Sequence, residues 1–148
     1  MTNYVITPYE GVGPLKFGMG RDEIKGLVGN ADHVGEDREE KTLTEYRFGN
    51  SLQLVYDLAT VRLVCISLYR PLTEISVDGI QLEWSESETW LERLKKLDAD
   101  PRFTYGITVL FKFGISAAGL QHDENGGKSV TAFARGQWDS DSPDLLPA

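Results

Sequence analysis

The stretch TLTEYRFGNSLQLVYDLATVRLVCISLYR, residues 42–70, decides the reading of the fold. Apolar and polar residues alternate along it, which is the period of a strand rather than of a helix. In the first run Leu43, Glu45 and Arg47 share one face, and Thr44, Tyr46 and Phe48 the other. FGNS (48–51) reads as a hairpin turn into a second run, GNSLQLVYD. DLAT (57–60) turns the chain into a third. There Val61, Leu63, Cys65 and Ser67 line one face, and Arg62, Val64, Ile66 and Leu68 the other. Three such runs joined by short turns predict an antiparallel meander.

Upstream, the polar residues 32–41 read as a loop, and RDEIKGLV (21–28) as a helix of about two turns. Ile24, Leu27 and Val28 fall on one helical face, Asp22 and Glu23 favour the helix dipole, and Gly29 is placed to cap the C-terminus. NYVITPYE (3–10) reads as a short edge strand ended by Pro8. Downstream, PLTEISVDGIQLEW (71–84) is a crossover with an Asp-Gly turn. SESETWLERLKKLD (85–98) is the clearest helix, with Ser85 or Ser87 as cap and Glu88 completing a capping box with Ser85. Its apolar stripe is Trp90, Leu91, Leu94 and Leu97, and Asp100-Pro101 ends it. FTYGITVLFKF, GISAAGLQ and KSVTAFARGQW supply three more strands, with HDENGGKS as the turn between the last two.

The expected fold is therefore α+β. Two helix-plus-antiparallel-strand repeats, about 11–70 and 80–138, form one curved antiparallel sheet with the helices on one face. Residues 1–148 make a single domain, and 139–148 a frayed acidic tail.

Composition narrows the function. Hydrophobic residues are 41% of the chain, enough for a core, and the formal charge is −8. Nucleic acid is excluded as a direct ligand on this reading, because phosphate binding needs a basic face. The N-terminus lacks the basic and apolar regions of a signal peptide, and no apolar run reaches the ~20 residues of a membrane span, so a cytoplasmic protein with no membrane contact is expected. Cys65 is the only cysteine and sits among apolar residues, as a structural thiol does.

Motifs for chemistry do not complete. GVGPLKFGMGRDEIKGLVG (11–29) raises the question of a phosphate cradle, yet neither Gly11 nor Gly18 starts a G-x-G-x-x-G pattern, and acidic residues open the helix that follows. GGKS (126–129) lacks the earlier glycine of a P-loop, whose place holds His122. His122, Asp123 and Glu124 are adjacent, so they point in different directions, and His33 lies in the polar loop. No catalytic residue, metal site or cofactor is expected. Charge is the stronger signal. Residues 32–45 hold six acidic side chains against Arg38 and Lys41, a net of −4, half the formal charge. Glu36, Asp37, Glu39 and Glu40 would offer a docking surface to a basic protein, and Tyr46, Tyr56 and Tyr69 exposed aromatic anchors on the open sheet face.

Phe17, Gly18, Met19, Glu23, Ile24, Leu27 and Gly29 make an apolar-Gly-Met lead into a short helix ending in Leu-x-Gly. This resembles beta-lactamase inhibitory protein-like domains and the small lipoproteins of outer-membrane assembly. Gly20 stands where the family usually has Ser or Thr, and no lipidated N-terminal cysteine is present. The resemblance implies a tandem-repeat fold, a structural role for the motif with Met19 buried beneath the helix, and a non-catalytic protein-binding function of the toxin-neutralising, immunity type. The competing readings are a small-ligand-binding protein or enzyme with a site in the concave sheet face, and a homo-oligomeric module.

Overall fold

The computed structural model describes residues 3–120 and 127–148. His122, Asp123, Glu124 and Gly126, and with them most of the expected HDENGGKS turn, lie outside the described residues. The chain opens with β1 (Tyr4–Thr7), β2 (Gly11–Val12) and β3 (Leu15–Lys16), followed by helix α1 (Arg21–Val28). A meander follows: β4 (His33–Asp37), β5 (Thr42–Arg47), β6 (Leu52–Asp57) and β7 (Leu63–Tyr69). The hairpin of β8 (Ile75–Val77) and β9 (Ile80–Leu82) leads through a 3-10 turn, Trp84–Glu86, into α2 (Ser87–Leu97). Then come β10 (Arg102–Thr104), β11 (Ile107–Leu110), β12 (Ile115–Ala118), β13 (Ser129–Phe133) and β14 (Leu146–Pro147).

These strands form two sheets, in the orders β3-β2-β1-β8-β9 and β14-β10-β11-β12-β13-β7-β6-β5-β4. This corrects the expectation of two helix-plus-strand repeats in one curved sheet. The strands of the five-stranded sheet are two to four residues long, too short for alternation to register. They find one another across the chain, with β1 running parallel to β8. NYVITPYE accordingly supplies a central strand, not an edge. The expected crossover is the β8–β9 hairpin, turned at Asp78 and Gly79, both at positive φ, as a two-residue Asp-Gly hairpin turn requires. FTYGITVLFKF is likewise not one strand. It turns at Tyr105 and Gly106, also both at positive φ, and becomes β10 and β11.

One contiguous core joins both sheets and both helices. The inner face of the large sheet contributes Leu52, Leu54, Ile66, Leu68, Ile115 and Val130, all fully buried. Ile6, Val12, Leu15, Ile75 and Val77 meet them from the small sheet, Ile24 from α1, and Trp90, Leu91 and Leu94 from α2. The helical faces are narrower than expected: Leu27 is 49% and Leu97 44% exposed. Ser85 does not cap α2. The 3-10 turn moves the helix start to Ser87, which is buried and donates from Oγ to the Leu120 carbonyl.

The glycine-rich stretch is a strap. At Gly11 (φ 155°) a Cβ would lie 1.9 Å from the Leu15 carbonyl oxygen, so only glycine admits the β2–β3 hairpin. Beyond it the Gly18 N–H donates to the Leu63 carbonyl, and the Leu63 N–H to the Met19 carbonyl, which fastens the stretch to the start of β7. Met19 packs against the core but is half-buried, not sealed beneath α1 as expected. The α1 N-terminus is filled by its own Glu23, whose Oε1 accepts from the Gly20 N–H at 3.3 Å.

Residues 139–148 are not a free tail. Leu145 is buried in a second apolar cluster with Val109 and Phe133, and β14 pairs with β10. These two contacts outweigh the acidic composition of the segment.

Candidate functional site

The acidic residues singled out from the sequence sit at one edge of the large sheet. Residues 33–37 form β4, a strand and not the expected loop. Among the described residues it pairs with β5 alone, in the register His33↔Tyr46 to Asp37↔Thr42. Alternation fails as a signal here because both faces of β4 are largely exposed. Glu36 and Asp37 lie on the strand, and Glu39 and Glu40 in the turn at residues 38–41. Asp37 shapes that turn, its Oδ1 accepting from the N–H groups of Glu39 and Glu40 at 3.1 and 3.0 Å. Glu36 and Arg38 form an exposed pair at 4.0 Å, which contributes little.

The three tyrosines divide. Tyr46, on the outer face of β5, meets the His33 ring at 5.6 Å between centroids. Tyr69, at the end of β7, is half-buried on the same outer face; burial first, and then the neighbouring Tyr46, pushes its phenol upward. Tyr56 is fully buried and leaves the exposed set. On β6 it is in phase with Leu52 and Leu54, which face the core.

Tyr56 instead belongs to a buried polar cluster beneath α1. Its hydroxyl donates to Glu45 Oε1 at 2.8 Å, as does Arg47 Nη2 at 2.9 Å, while Arg21 Nε donates to Oε2 at 2.8 Å. Arg47 Nη1 also donates to the Gly29 carbonyl at 2.7 Å, satisfying the C-terminal end of α1. Burial alone would push the Glu45 carboxyl up. The hydrogen bonds from Arg21, Arg47 and Tyr56 outweigh it and hold the carboxyl below its ordinary value. Tyr56 is driven far upward, by burial first and then by the carboxylate it serves. Every group in this cluster has a partner, and the cluster ties α1 to the sheet. It also removes Glu45 from the surface. Of the segment 32–45, five acidic side chains and two basic ones remain at the edge, a net of −3. Sequence periodicity placed Glu45 and Arg47 on one face with Leu43, but nothing local indicated that this face was the buried one.

A concavity lies elsewhere on the outer face of the large sheet. Tyr9, Phe111, Phe133, Arg135, Gly136, Trp138 and Ser140 line a cavity of about 160 Å³. Sequence reasoning missed it, because its residues come from three separate stretches, at Tyr9, Phe111 and 133–140. Cys65 packs beside it, its thiol pushed up to about 11 by burial and so inert as a nucleophile.

Among the described residues no helix is long and apolar enough to cross a membrane. Comparison with protein families, curated proteins and solved structures finds no match for this chain.

Proposed function

We propose that this chain is a non-catalytic protein-binding domain, of the toxin-neutralising immunity type, that docks a basic partner along β4 and the turn that follows it. One observation carries the reading: the acidic cluster lies on the free edge strand of a nine-stranded sheet. An edge strand offers unpaired backbone N–H and C=O groups to an added strand. Here that edge is flanked by Glu36, Asp37, Glu39 and Glu40. Two copies pairing through β4 would bring like charges together, so the edge disfavours self-association and favours a strand rich in Lys or Arg. His33, Tyr46 and Tyr69, on the adjoining outer face, supply aromatic contact area beside the charge.

The test is a combined Glu36→Gln, Asp37→Asn, Glu39→Gln and Glu40→Gln variant. Asparagine at 37 keeps the oxygen that accepts from the turn, so the melting temperature should stay close to the parent's. Binding of a blocked peptide of alternating Lys and Thr should be strong for the parent at low salt and much weaker for the variant. High salt should narrow the gap. Equal binding by parent and variant at both salt concentrations would contradict the proposal.

A further inference from the structure

We propose that the aromatic pocket beside Arg135 binds a small aromatic carboxylate, a site independent of the acidic edge. Three rings surround Phe133. Tyr9 and Phe111 stand edge-on to it at 5.9 and 6.1 Å between centroids, and Trp138 is tilted at 6.4 Å. The open-sided depression that they line with Arg135 and Ser140, about 160 Å³, has room for one benzene ring. Its walls offer the edge-to-face contacts that such a ring prefers.

The walls are pre-formed. Tyr9 is held at φ 62°, an uncommon conformation for a non-glycine residue, and its hydroxyl donates to the Phe111 carbonyl. Gly114 lies against it: a Cβ there would come within 3.2 Å of the Tyr9 nitrogen and 3.4 Å of its ring. A non-glycine side chain at 114 would therefore press on the wall of the pocket.

Charge selects the ligand. The Arg135 guanidinium lies 4.2 Å from the Tyr9 ring centroid, so the protein already supplies the cation for this aromatic face. An incoming ammonium would be repelled. Among the described residues no carboxylate forms an ion pair with Arg135. Asp98, whose charge acts on Tyr9, has its two oxygens engaged by the N–H groups of Asp100 and Lys112. A guanidinium held over a ring keeps its N–H donors free to take a carboxylate through two parallel hydrogen bonds. A ring in the cavity with a carboxylate toward Arg135 satisfies both halves of the site.

Phenylacetate and benzylamine, matched in size and opposite in charge, are the probes. The readout is the Trp138 indole N–H and the Gly136 amide in a nitrogen-15 correlation spectrum. Phenylacetate should shift both resonances saturably, and benzylamine should bind at least about tenfold more weakly. Arg135 is exposed, so Arg135→Gln should leave the melting temperature unchanged and weaken phenylacetate by about tenfold or more. Arg135→Lys should restore part of the loss. Absence of a saturable shift with the folded parent, equal binding of the two probes, or unaltered phenylacetate binding by Arg135→Gln would each overturn the proposal.

Discussion

Replacing Glu45 by alanine is expected to destabilise the protein by roughly 3–5 kcal/mol, the cost of leaving a buried charge without its partner. Arg47 is 2% exposed and Tyr56 fully buried, and both give hydrogen bonds to the same Glu45 oxygen. Without the carboxylate, the Tyr56 hydroxyl and Arg47 Nη2 lose the acceptor they share. Arg21 also loses its anchor, and with it one of the ties between α1 and the sheet. Denaturant unfolding measures the loss directly, and a change below about 1 kcal/mol would mean that the cluster is not held together as described. The same carboxyl governs behaviour in acid. Its folded value lies below the unfolded one. Its ionised form therefore adds stability that is complete above the unfolded value, about 4.3, and is lost as the pH falls through the folded value. Glu45→Gln cannot ionise. Its denaturation midpoint should fall less steeply than the parent's as the pH drops below about 5, and equal slopes would show that Glu45 is not the group responsible.

Leu94→Ala should cost roughly 2–5 kcal/mol, because it opens a cavity at a fully buried site. Leu94 lies on α2 one turn after Trp90 and Leu91, and all three belong to the one core. Leu97→Ala is the control. Leu97 was expected on the same stripe but is 44% exposed, so its removal should stay within about 0.5 kcal/mol. Comparable losses from the two substitutions would place Leu97 back on the buried face.

The contrast between these two leucines shows where local pattern stops being informative. Periodicity located α2 and the strands around residues 42–69, because each of those runs has one face on the core. It mis-phased β7. A bulge pairs Tyr56 with Leu63 and skips Val64, so Leu63, Ile66 and Leu68 point inward together, which strict alternation forbids. β4 escaped notice because an edge strand exposed on both faces has no apolar alternation. The small sheet escaped because its strands are brief and its two halves join, β1 to β8, over some seventy residues, a choice made by tertiary packing.

The two candidate sites differ in the same way. Clustered charge at Glu36, Asp37, Glu39 and Glu40 was visible as composition, although Glu45 was wrongly counted with it. The sequence does not say which members of an acidic run are buried against arginine. The pocket of Tyr9, Phe111, Phe133 and Trp138 had no sequence signal at all, since only the fold brings those rings together.

Hydrogen exchange at the amides of β4, with and without the Lys-Thr peptide at low salt, tests the docking reading most directly. Amides of residues 33–37 pointing away from β5 should exchange fast in the free protein and become protected by the peptide. A matched Glu-Thr peptide should leave them unprotected. Unchanged exchange along β4 with the basic peptide, or protection confined to another surface, would contradict it.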